Sequence, residues 1–238
     1  KWLKLLDQLI SKNHSTKIIL LYLSLIGIIG FALRLNYFPN DIPLAFDSLE
    51  YFFYAMDITT IGKLPLNYTP INNGWSIFLS GFFSFFSFEN SISYMELQRM
   101  LSIIISTFTF IPIYYLCRKF VNSSFSIVGA AIFVFEPRII QNSLLGISDP
   151  LYIFLSACSL ALIFDSREKL AYFAFVFSGL ATIVRSEGLF LFIGISIIFI
   201  LKSKKNKIII PKYVIAGIIF FLIIMPISLY KIDVQETD

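Results

Sequence analysis

An all-α fold is predicted: a polytopic bundle of about seven transmembrane helices, with membrane-parallel helices in a long first external loop. Three observations predict it. The chain of 238 residues is 57% hydrophobic with a mean hydropathy of +0.80, and only 14% of its residues are charged, about half the share usual in soluble domains. One soluble core cannot bury that much apolar surface. The apolar runs are each roughly 16–24 residues long, enough to cross the hydrocarbon as a helix. Finally, Lys and Arg recur between those runs with a strong bias to one side.

Residues 1–16 form a cytoplasmic interfacial segment. KWLKLLDQLISK puts Trp2, Leu3, Leu5, Leu6, Leu9 and Ile10 opposite its lysines, the pattern of a helix lying on a membrane surface. The first span, 17–35, is too long for a signal peptide and lacks a small-residue cleavage site. An external loop covers 36–97. Six further spans fill 98–230, at 98–117, 124–140, 149–165, 170–185, 188–202 and 212–230, and an external tail occupies 231–238. The chain begins with Lys1 rather than Met and ends in a polar tail, so an amino-terminal fragment is expected.

With the amino terminus in the cytoplasm, thirteen of the nineteen Lys and Arg lie inside, while only Asp7, Asp165 and Glu168 of the fifteen acids do. The stretch 71–88, INNGWSIFLSGFFSFFSF, is long enough to be an eighth span. If it crossed, the basic count would fall to eight inside against eleven outside. It is therefore expected to be a re-entrant or interfacial helix, with Gly74, Gly81 and its serines allowing close packing.

The net charge of +4 does not point to nucleic acid, because the basic residues never gather in one patch. Cys117 and Cys158 fit small buried hydrophobes better than a disulfide or a metal site. His14 lies in a Lys-rich, solvated segment. Asn67-Tyr68-Thr69 is an external glycosylation sequon of low specificity.

The candidate site lies on the external side. In 45–58, Asp47, Glu50, Tyr51, Tyr54 and Asp57 fall on one helical face, and Phe46, Leu49, Phe53 and Met56 on the other. Periodicity alone also fits an amphipathic anchor. Arg99 opens the second span, Arg138 and Asp149 bracket the second external loop, and Arg185 with Glu187 stand at the third external turn. Carboxylates and arginines at one membrane depth suit a lipid-phosphate substrate. Arginine grips phosphate with forked hydrogen bonds, and a carboxylate can take a proton from an attacking hydroxyl.

At these residues the chain resembles the GT-C superfamily of membrane glycosyltransferases, in the branch of protein O-mannosyltransferases and aminoarabinose-lipid A transferases. The matching pieces run in order: FDSLEYFFYA, GKLPLNYTPINNGWSIFLSGFF, LQRMLSII, SLLGISDPLYIFL and SGLATIVRSEGLFLF. The resemblance covers about 18–202. It implies inverting transfer, on the external face of the cell membrane, of a sugar from a polyprenyl- or dolichyl-phosphate donor to a protein, lipid or glycan acceptor. By that resemblance Asp47 is the general base and Arg99 sits at the donor phosphate. Asp149 positions substrate, or holds a divalent metal if the chain follows the oligosaccharyltransferase branch. Arg138, Arg185, Glu50 and Tyr51 complete the expected substrate site. The mannosyltransferase branch often pairs Asp directly with Glu, whereas here Glu50 comes three residues on; the Trp-Trp-Asp acceptor motif is absent. The rival classes are a polytopic transporter and a non-catalytic scaffold. The transporter would need polar groups at mid-membrane, which these spans mostly lack.

Overall fold

The computed structural model describes residues 16–65, 73–203 and 209–235, and among them it is helical throughout, with no strand. The expected surface helix before residue 16 and the sequon at Asn67 lie outside the described residues. In chain order the helices are α1 (Thr16–Asn36), α2 (Asp47–Ile61), α3 (Gly74–Phe83), α4 (Ser91–Phe108), α5 (Phe110–Cys117), α6 (Ser123–Phe135), α7 (Pro137–Leu145), α8 (Asp149–Ile163), α9 (Glu168–Val184), α10 (Gly188–Ser203) and α11 (Ile209–Gln235).

Among the described residues three stretches are long and apolar enough to cross a membrane: α1, the continuous run Ser91–Cys117 of α4 and α5, and Ile210–Leu229 of α11. A fourth arises if α6 and α7, bent by 49°, act as one. The remaining core helices α8, α9 and α10 have 15, 17 and 16 residues. They are therefore about 22–26 Å long, short of a hydrocarbon core of about 30 Å. Helix α11 runs on to Gln235, past the expected boundary at 230.

The bend between α6 and α7 has a local cause. Pro137 has no N–H to give to the Phe133 carbonyl, and Glu136 is extended at ψ 121°. Glu136 then caps α7, its carboxylate accepting from Ile139 N at 2.8 Å. The Val134 carbonyl, orphaned by the break, accepts from Arg34 Nη1 at 3.1 Å. Arg34 is wholly buried and also donates to Gly30 O, Ser106 Oγ and Ser143 Oγ, tying α1 to α4, α6 and α7. Gly30 is needed there, since a Cβ would lie 2.1 Å from Val134 Cγ1. A guanidinium in this setting is held by neutral acceptors alone, so deleting any one leaves a buried donor unmet.

The first-loop helices are part of the core. Phe52 and Ala55 of α2 and Trp75, Leu79 and Phe83 of α3 are buried in one cluster with Leu101, Leu151, Leu155, Ala181 and Val184. Gly74 sits so close to α9 that a Cβ would meet the Ile183 carbonyl carbon and Val184 N at 2.8 Å. The expected close packing at Gly81 is corrected: nothing lies within 4 Å of its Cβ position. The expected faces of α2 also need correction. Tyr54 is fully buried and accepts from Asn73 Nδ2 at 3.0 Å, whereas Phe46 is 91% exposed and Phe53 55%. A tyrosine ring is mostly apolar and can turn inward once its hydroxyl finds a partner, as this one does.

Candidate functional site

The site forms around the turn that enters α8. Gly146 ends α7 in the left-handed conformation (φ 73°), which only glycine adopts without strain. Its carbonyl accepts from Trp75 Nε1 at 3.0 Å and from Gln98 Nε2 at 2.8 Å. Gln98 Nε2 also donates to Ser48 O at 2.9 Å. One buried glutamine thus fixes the start of α2 and the turn before α8 together.

Asp149 is the first residue of α8, where the helix dipole favours a carboxylate. One of its oxygens accepts from Asn142 Nδ2 at 3.1 Å, and the other is ion-paired with Arg185 Nη1. Arg185 Nη2 reaches on to Glu187 Oε1 at 2.8 Å. That bond, then the residue's own backbone N–H, holds the Glu187 carboxyl below its ordinary range. Ser148 Oγ donates to the Tyr51 hydroxyl at 3.3 Å, bringing α2 to the same cluster. The group is half-buried, with Asp149 and Arg185 side chains 25% and 32% exposed.

Of the residues named from sequence, Asp149, Arg185 and Tyr51 come together here. Asp47 is exposed at the first position of α2, one turn before Tyr51 on the same face. Arg138 is exposed, one turn before Asn142. Glu50 is exposed, and neither it nor Asp47 nor Arg138 makes an ion pair among the described residues. Arg99 packs beside Gly146, but its guanidinium does not join the cluster. It is 5% exposed, and its terminal nitrogens donate to Ile42 O at 2.5 Å and Pro43 O at 2.9 Å. Its fork therefore clamps the backbone that leads into α2.

That backbone is strained. Phe46, directly before Asp47, has φ 53° and ψ −138°, a region open to glycine but costing other residues about 1–3 kcal/mol. The clamps from Arg99 on one side and Gln98 on the other hold it in place. Strain fixed this way sets where the Asp47 carboxylate starts from.

Sequence reading missed Asn142 and Ser148 as members of the cluster. The only signal for Asn142 was its place one turn after Arg138; Ser148 carried none beyond adjacency to Asp149. No group of three metal-ligating side chains gathers among the described residues. The pair Asp149 and Glu187 is bridged by a guanidinium, which occupies the place a divalent ion would need, so this carboxylate pair does not fit a metal as arranged.

A groove of about 430 Å³ opens beside the cluster. Glu187, Tyr152 and Phe190 line one end, and apolar side chains of α5, α8 and α10 continue it to Leu160. From Tyr152 to Leu160 along α8 is about 12 Å.

The fold and site thus define a chain that is helical throughout its described residues, with helices long and apolar enough to cross a membrane, and that carries a half-buried ion cluster at the mouth of an apolar groove. No family model, no curated protein and no solved structure matches it.

Proposed function

We propose that this chain is the catalytic module of a membrane glycosyltransferase. It would use a polyprenyl- or dolichyl-phosphate sugar as donor, with seven crossings, a cytoplasmic amino terminus and the site on the external side of the cell membrane. The observation that carries the reading is the Asp149–Arg185–Glu187 cluster at the head of an apolar groove, with an exposed carboxylate, Asp47, one turn from its Tyr51. A polar head against ionic groups and a chain in an apolar slot are what a lipid-linked sugar requires.

In this reading the isoprenoid chain lies in the groove and the sugar phosphate meets the cluster. Asp47 accepts the proton of the acceptor hydroxyl as its oxygen attacks the anomeric carbon. The carbon–oxygen bond to phosphate breaks on the opposite face, so configuration inverts and the lipid phosphate leaves with the electron pair. Exposed Arg138 is the cation with donors to spare for that phosphate, and Arg185 supports it while orienting Asp149. Arg99 contributes by holding the loop before Asp47.

Asp47→Asn should lower transfer from a lipid-monophosphate sugar by about 10²–10⁴-fold, the usual worth of a general base. Expression and melting temperature should not change, because Asp47 is exposed. Turnover retained in that variant removes the assignment. A transporter reading draws on one observation, the buried intramembrane Arg34. Its donors are given to four fixed acceptors, which suits a clamp between helices better than a moving charge. Solute flux in proteoliposomes that survives Asp47→Asn but not Arg34→Met would favour transport.

A further inference from the structure

A cavity of about 630 Å³ lies at the end of the molecule opposite the Asp149 cluster. Its walls are apolar, formed by Phe108, Ile111 and Tyr115 of α4–α5, Phe154 and Leu162 of α8, and Phe177 of α9. From Phe154 to Asp165 it runs about 16 Å along α8, close to half of a hydrocarbon core of about 30 Å. Lys119, Asp165 and Arg167 close its polar end.

That end carries surplus positive charge. Lys119 Nζ and Arg167 Nε both bind the Asp165 carboxylate, at 2.5 and 2.9 Å. Lys202 Nζ donates to the carbonyls of Ile163 and Asp165. Two cations therefore share one carboxylate, and a third, Lys202, is held on the backbone beside it. Arg167 is 74% exposed, and only its Nε is engaged with a side chain among the described residues, which leaves its outer nitrogens for an incoming anion.

We infer that this groove binds an anionic lipid of the phosphomonoester type, such as phosphatidic acid. One acyl chain lies along Phe154 and Phe177, and the phosphate rests between Lys119 and Arg167. A doubly charged phosphate balances the surplus of two positive charges that Asp165 leaves. A zwitterionic headgroup brings its own cation and gains nothing there. The groove shares no residue with the Asp149 cluster, so this inference does not depend on glycosyl transfer.

The test uses the chain in phosphatidylcholine nanodiscs with a photoreactive alkyl phosphate carrying a mid-chain diazirine. Crosslinks should concentrate in 108–119 and 154–165, and excess phosphatidic acid should lower them at least fivefold while added phosphatidylcholine does not. Replacing both cations (Lys119→Gln with Arg167→Gln) should lower crosslinking at least fivefold. Lys212→Gln, whose partner is Glu168 outside the groove, should leave it unchanged. Asp165→Asn, which frees both cations, should raise it, so the proposal is tested even if the double variant folds poorly. Equal crosslinking by a neutral alkyl alcohol overturns the inference and marks the groove as ordinary lipid-facing surface. Undiminished crosslinking in a folded double variant, or a fall in Asp165→Asn, overturns it equally.

Discussion

The two ends of α8 carry mirrored charge arrangements. At Asp149 two carboxylates share one guanidinium, and Asn142 and Tyr51 complete the group. Just beyond Ile163, one carboxylate, Asp165, is shared between Lys119 and Arg167, and the backbone carbonyl of the same residue accepts from Lys202. Both suit the helix dipole, with an acid at its start and a cation on its last carbonyls. The difference lies in what each end has left over. The first keeps negative charge and an exposed Asp47 nearby, so it can accept a proton, and in the proposed reading it meets a phosphate only through Arg138 beside it. The second keeps positive charge, so it can hold an anion or anchor the chain at a membrane face.

The first end depends on α3 lying tight against α9, and that dependence can be broken at a single methyl group. Gly74→Ala places a Cβ against the Ile183–Val184 backbone and should cost about 1–3 kcal/mol, despite alanine's better helix propensity. Gly81→Ala on the same helix meets open space and should gain up to about 1 kcal/mol. Thermal unfolding of the two variants in one detergent should therefore shift in opposite directions. Shifts of the same sign would mean that α3 does not hold the start of the α9–α10 turn in this way.

Much of this was legible in the chain. Most helix starts fell within three residues of expectation because caps and prolines mark them: Asn122 accepts from Phe125 N, Glu136 from Ile139 N, and Pro150 follows Asp149. Helix α4 is the exception, starting at Ser91 rather than 98, where Asn90 accepts from Ser93 N. The charges assigned to one side reappear in contact with one another, Lys119 with Asp165 and Lys212 with Glu168. Pairing across the sequence was not legible. Arg185 and Asp149 are 36 residues apart, and only the packing of α9 on α8 brings them together. Nor was the role of Arg99 legible. It was expected to open a helix but is the ninth residue of α4, and an arginine there looks the same in sequence whether its fork meets a phosphate or the carbonyls of Ile42 and Pro43. The face of α2 was misread because periodicity counts tyrosine as polar, while Tyr54 buries its ring entirely.

The two ends should also differ in how tightly their ions are coupled. Asp149 and Arg185 are both mostly shielded, and Asn142 fixes the carboxylate from the other side. A double-mutant cycle with Asp149→Asn and Arg185→Gln should give about 1–2 kcal/mol of coupling, a charged hydrogen bond discounted for partial exposure. The same cycle on Asp165 and Arg167 should give less, since Arg167 is three-quarters exposed. Equal coupling energies would erase the distinction between a built site and a solvated pair.

The smallest effect is one of order under acid. Glu187 lies below its ordinary value because of the hydrogen bond from Arg185. Asp165, in the turn after α8, is held much further down by its bonds from Arg167 and Lys119. A carboxyl with a depressed folded-state pKa contributes stability in full above its unfolded value, and loses it as pH falls through the folded one. The Glu187 contribution therefore begins to fade below about pH 4.5, its unperturbed value, while Asp165 still holds Lys119 and Arg167. Amide exchange between pH 5 and pH 3, expressed as protection factors, should show the α9–α10 turn around 185–191 loosening a few-fold before the α8–α9 turn around 164–170. Asp165→Asn should remove that delay without touching the first turn, because the groups that hold Asp165 down are its own two cations and not those of the Asp149 cluster. Loss of protection at both turns together would mean that the ends of α8 are coupled through the helix, and the division of labour between them would fail.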